Sequence, residues 1–115
     1  MSLALRTNLE AIAASAAARE GVIWTLEASD ELNVNLVRFG AGRGVGKHVN
    51  DEVDVVFVGV SGSGFVEVDG QEHGIGAGKL VFVPKDARRS TWGTSEDFAY
   101  LTVHRRRGPL RIGGR

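Results

Sequence analysis

From Gly21 to His104 the chain alternates apolar and polar positions with a period of two, the spacing of a strand with one buried face. The alternation predicts strands over residues 22–26, 33–39, 53–60, 65–68, 72–75, 80–83, 88–92 and 98–104. Segment 53–60, VDVVFVGV, is almost continuously apolar and β-branched, so it is expected to be covered on both faces. Residues 40–46 are rich in glycine and read as a loop. Turns are expected at 61–64, 76–78 and 84–87, with Asp69-Gly70 as a hairpin signal. Short strands punctuated in this way predict an all-β sandwich or barrel.

Ahead of that region the period differs. Thr7 with Glu10 three residues later reads as a capping box, and Leu9, Ile12, Ala13 and Ala16 then form a narrow apolar stripe running toward Gly21. A short helix packed on the strands is expected. The alanine run at 11–18 is not read as a secretory signal, because Glu10 precedes it, Ser15 interrupts it and alanine makes a weak hydrophobic segment. No run reaches the roughly 18 apolar residues of a membrane span.

With 115 residues the chain is expected to form a single domain: a helix and arm over 1–20, a barrel over 21–104 and a basic tail over 105–115. The tail carries Arg105, Arg106, Arg107, Arg111 and Arg115, and is expected to be solvated or to contact another subunit. Lysine plus arginine balances aspartate plus glutamate at 14 each, which argues against nucleic acid or a membrane surface as a partner. The absence of cysteine removes disulfides, thiolate metal sites and cysteine nucleophiles, and fits a cytoplasmic location.

The glycine-rich loops fit neither a phosphate cradle nor a nucleophile elbow. A Walker-type loop ending at Gly46-Lys47 would need a glycine at Ala41 and a hydroxyl at His48, and Ser61 lacks the second glycine of a serine-hydrolase turn. Residues 42–62, GRGVGKHVNDEVDVVFVGVSG, instead resemble the first signature of the cupin superfamily, with Gly42, His48 and Gly62 in register. Residues 78–93, GKLVFVPKDARRSTWG, are similar to the second signature, with Gly78 and Pro84 in register and Asp86 where a second glycine stands. The resemblance spans residues 33–104 and implies a double-stranded β-helix, or jelly-roll barrel.

In metal-dependent cupins two histidines and a glutamate of the first signature and one histidine of the second hold a divalent ion. Those positions here are His48, Asn50, Val55 and Arg89. The resemblance therefore implies a barrel without the usual metal and without another cofactor, since valine cannot ligate and arginine sets a permanent cation where the ion belongs. His48, Asn50 and Arg89, with Phe57 and Thr91 at matching strand parity, make the candidate ligand site. A guanidinium beside an imidazole and an amide suits a small anionic or carboxylate-bearing molecule. Three other readings stay open: an ion pair of Arg89 with Glu52 or Asp54 at the lip, a structural His48, and a small cupin enzyme (isomerase, epimerase, decarboxylase or metal-dependent dioxygenase) in which His48 transfers protons or ligates metal. The face of His104 is not set by parity. Similarity to small cupins also implies a homodimer.

Overall fold

The computed structural model describes residues 4–16 and 18–107. Within them one helix, α1 (Leu9–Ser15), precedes nine strands: β1 (Gly21–Thr25), β2 (Leu32–Phe39), β3 (Gly44–Val49), β4 (Val55–Ser61), β5 (Ser63–Val68), β6 (Gln71–Gly76), β7 (Leu80–Val83), β8 (Arg88–Gly93) and β9 (Phe98–Arg105). The strands form two sheets, ordered β1-β2-β9-β4-β7 and β3-β8-β5-β6, with every neighbouring pair antiparallel. Val37, Val55, Phe57, Val66, Val83 and Phe98 fill the space between them. This is an all-β fold, as the strand rhythm predicts, in the two-sheet jelly-roll form that the cupin resemblance implies.

Alternation along β4 shows how the sequence builds the layers. Val55 and Phe57 are buried between the sheets, at 1% and 2% exposure, while Val56 and Val58 point to the other face. That outer face carries α1. Ala13 packs with Leu36, Val60 and Ala99, flanked by Leu9, Ile12, Trp24 and Leu101. The helix differs from the sequence expectation at both ends. Its cap is Asn8 rather than Thr7, since the Asn8 side-chain oxygen accepts a hydrogen bond from the Ala11 amide at 3.0 Å. It stops at Ser15, well short of Gly21, and Ala18 has a left-handed φ of 64°.

The expected loop over 40–46 is another correction, because its second half belongs to β3. A Cβ on Gly44 would collide with the Thr91 carbonyl, so glycine here is what lets β3 lie against β8. Every residue of β3 is exposed, consistent with an edge strand.

The three arginines at the end of the barrel are not free in solvent. Arg105 donates to the Glu52 carbonyl at 2.9 Å, Arg106 to the Asp30 and Ser29 carbonyls at 3.0 and 2.7 Å, and Arg107 pairs with Glu52 at 3.0 Å. They tie the end of β9 to the β1–β2 and β3–β4 loops. Arg111 and Arg115 lie outside the described residues.

The glycines that carry the cupin resemblance have a common backbone cause. Gly42, Gly62 and Gly78 have φ of 76°, 62° and 82°, and Asp86, at the fourth glycine position, has φ of 74°. Each is a corner in the left-handed region that disfavours a Cβ. Gly42 and Gly62 separate strain from crowding: a Cβ on Gly42 meets nothing within 4 Å, whereas one on Gly62 comes within 2.7 Å of the Asp97 carbonyl oxygen. Chemical denaturation of Gly42→Ala is expected to show a loss of about 1 kcal/mol, the left-handed penalty alone. Gly62→Ala should lose at least about 2 kcal/mol, because an overpacking cost adds to that strain. Equal losses would refute the distinction.

Candidate functional site

The barrel holds a partly open cavity of about 210 Å³ between β3 and β8 on one side and β1, β2, β4 and β9 on the other. Its apolar walls include Val37, Phe39 and Val45, and its polar groups come from His48, Arg89, Thr91, Tyr100 and Thr102. Among the described residues no aspartate or glutamate lines it. A wider, open groove of about 490 Å³ lies elsewhere, between the N-terminal arm and the β4 segment Val58 to Val60.

Local register explains how these side chains meet. His48 is opposite Arg89 and Val45 is opposite Thr91, so three residues on β3 span the distance that two span on β8. The extra residue is a bulge. Strict alternation would turn either Val45 or His48 away, and the bulge lets both face the cavity. Across the barrel, Phe57 pairs with Thr102 and Val37 with Tyr100, which brings the hydroxyls of β9 to the floor.

Arg89 is the central charge. Its guanidinium lies 5.4 Å from the centroid of Phe57, which stacks on Tyr100 at 5.5 Å, and Tyr100 in turn meets Phe98 at 5.1 Å. Among the described residues it makes no ion pair. The carboxylates proposed for it from sequence are engaged elsewhere: Asp54 accepts from the Lys85 amide at 2.8 Å, and Glu52 pairs with Arg107. Burial first, and then the charge of Arg107, push the Arg89 pKa down from its usual range. Among the described residues no buried side-chain nitrogen or oxygen lacks a partner, so the guanidinium N–H groups reach the cavity or its mouth.

The Tyr100 hydroxyl is a neutral phenol, with a pKa raised by burial against the opposing effects of Arg89 and a hydrogen bond with Thr91. Both hydroxyls, with that of Thr102, line the cavity. At the mouth, His48 Nδ1 lies 2.9 Å from the Gly46 carbonyl; that oxygen can only accept, so Nδ1 carries a proton. The structure brings together His48, Phe57, Arg89 and Thr91. It does not bring Asn50 to them. The Asn50 amide donates to the Val53 carbonyl at 3.2 Å and accepts from the Glu52 and Val53 amides at 3.0 and 3.4 Å, shaping the loop before β4.

Tyr100, Thr102, Val37, Phe39 and Val45, with Gly21 and Val22 of β1, are the lining residues that sequence reasoning missed. The β9 pair had no sequence signal, since the inward face of that strand is set by the burial of Phe98 in the folded chain. Trp24 packs beneath α1 and Trp92 stacks on Phe65 at 5.6 Å, so neither lines the cavity. Val55, at the family's glutamate position, is buried in the core. Among the described residues no three His, Cys, Asp or Glu side chains converge, and no helix is long and apolar enough to cross a membrane.

His104 shares strand parity with Thr102 and sits beside the basic end of the site. Its Nδ1 donates to the Arg105 carbonyl at 2.8 Å. Burial pushes its pKa below the ordinary 6.5; that hydrogen bond opposes the shift, and the charges of Arg107, Arg89 and Arg105 add to it. A lowered base binds its proton more weakly in the folded chain. The linked loss of stability is therefore absent above pH 6.5 and grows as pH falls toward the folded-state value. Thermal melts between pH 7.5 and 5 should fall more steeply for the parent than for His104→Gln. Parallel curves would contradict the assignment.

No family model matches the sequence, and no curated protein does. Solved structures do. KdgF from Halomonas sp. superposes with a TM-score of 0.68 at 18% identity, over 74% of this chain and 77% of that one. A cupin protein from Bacteroides fragilis matches at 0.60 and 20% identity over 85% of both chains. A predicted oxalate decarboxylase from Thermotoga maritima matches at 0.60 and 22% identity over 64% of both. At these identities the likeness is one of fold, and it agrees with the two signatures and the sheet order: the chain is a small cupin-fold domain.

Proposed function

We propose that the barrel binds a small anionic, carboxylate-bearing molecule without the divalent metal usual in this fold. The observation that carries this reading is Arg89: a guanidinium partly buried against Phe57, free of any carboxylate among the described residues, with donors reaching the cavity. A carboxylate docking there gains a bidentate, charge-assisted pair. The donor set does not fit a divalent ion, because among the described residues His48 has no converging acidic or imidazole partners and the residue opposite it is the cation Arg89. Proton-transfer catalysis is less well supported, since the lining offers no carboxylate to work with His48.

A thermal-shift screen of small carboxylates tests the reading. At a tenfold excess over Kd, a binder should raise the parent Tm by about 5 °C. Arg89→Met, which keeps an apolar stem against Phe57, should shift by less than about 1 °C. Carboxylates that stabilise both proteins equally would remove Arg89 from the site.

We also infer a homodimer through the outer face of the five-stranded sheet. Two apolar rows cross it in register: Val34, Val103, Val56 and Phe82, and beside them Leu36, Leu101, Val58 and Leu80. Helix α1 packs at the Leu36 and Leu101 side and leaves Leu80 and Phe82 at 61% and 53% exposure on edge strand β7. A continuous apolar patch at a sheet edge suits an isologous contact with a second copy. Light scattering at micromolar concentration should give twice 12.3 kDa for the parent. The double variant Leu80→Asp, Phe82→Asp should be monomeric, and a monomeric parent would refute the inference.

A further inference from the structure

Resting on the anion-binding reading, we propose that the ligand is a monocarboxylate with a compact apolar body, of the size of a short fatty acid or an aromatic acid, rather than a hydroxylated or doubly charged acid. The cavity offers one fixed cation, Arg89, and otherwise mostly hydrocarbon: Val22, Val37, Phe39, Val45 and Phe57. One carboxylate satisfies that cation. A second one would find no other lysine or arginine in the lining among the described residues, and Arg107, just beyond it, is already paired with Glu52.

The hydroxyls sharpen the selection. A sugar acid brings several O–H groups that each need a partner once water is removed. Among the described residues three hydroxyls, those of Thr91, Tyr100 and Thr102, line the cavity, fewer than a sugar acid such as gluconate brings. Polyhydroxylated ligands would therefore lose more hydrogen bonds to water than they regain, while an apolar body gains contact with the valine and phenylalanine walls. Size points the same way. A cavity of about 210 Å³ holds on the order of seven to ten non-hydrogen atoms at about 20–30 Å³ apiece, close to the share of liquid volume that one water occupies. It lies below the roughly 300 Å³ at which drug-sized pockets begin.

The stacking geometry adds a reason for the head-group orientation. Arg89 is held on its apolar side by the Phe57 ring, so the face and edge turned to the cavity are left for a carboxylate. The ligand's head then sits at Arg89 beside His48, and its body extends along Val45 and Phe39.

The test is titration calorimetry of the full chain with benzoate, hexanoate, benzyl alcohol, gluconate and succinate. Benzoate or hexanoate should bind at least tenfold more tightly than the other three. Arg89→Met should cut that affinity tenfold or more, to the level of benzyl alcohol. Val45→Thr, which keeps the shape of the exposed edge residue and adds a hydroxyl, should weaken hexanoate severalfold, with circular dichroism confirming that both variants fold. If gluconate or succinate binds as tightly as benzoate and still depends on Arg89, the apolar-body assignment falls and the anion site stands. If no carboxylate binds, or binding ignores Arg89, both fall.

Discussion

The pairing of β4 with β9 is the contact on which the rest of the barrel depends, because these two central strands are apolar on both faces and so build two surfaces at once. Phe57 opposite Thr102, with Tyr100 one step along, lays the floor of the cavity. One residue out of phase, Val58 opposite Leu101 and Val56 opposite Val103 lay the outer face. A slip of one residue would exchange the two sets and place the apolar rows inside and the site outside. Register is guarded by burial on both sides: Phe57, Phe98, Ala99 and Tyr100 are each 2% exposed or less. The cavity and the outer apolar rows are thus products of one pairing.

Much of the fold was legible in the sequence because its signals are local. A corner in the left-handed region requires glycine or a residue that tolerates the strain, so Gly42, Gly62 and Gly78 mark the turns whatever the strands between them contain. Asp86 shows that the backbone shape persists where the residue does not; with its short polar side chain it is among the few types that visit this region. Strand β3 was not legible, since Gly44 and Gly46 carry no side chain to display alternation. The cap of α1 was misplaced by one residue because Thr7 and Asn8 are both good caps, and the choice between them is made where the helix meets the sheet.

The site was half legible for a related reason. Parity along β4 and β8 places Phe57, Arg89 and Thr91 correctly on one interior, because those strands are regular. Parity fails on β3, where the bulge between Val45 and His48 brings in a residue that alternation would exclude. Asn50 was read by its place in a family pattern, yet a side-chain amide next to a turn competes for the nearby backbone, and three hydrogen bonds within the loop outweigh a position in the cavity. Tyr100 and Thr102 belong to a strand with no signature of its own, so nothing drew attention to them before the register was known.

What makes the cavity chemically distinctive is the balance of forces on Arg89. Drawing a guanidinium out of water is costly, and an ion pair is the ordinary compensation. Here compensation comes from the Phe57 face, worth about 0.5–2 kcal/mol in general, while the Arg107 charge works against it. Glu52, one of the two carboxylates that the sequence offers as a partner, is committed to Arg107, and its backbone carbonyl to Arg105. The arrangement leaves Arg89 with donors unspent and with a desolvation cost that an incoming carboxylate would offset. A group held in that condition is worth more to a ligand than an arginine already paired, because binding adds a partner without first breaking one.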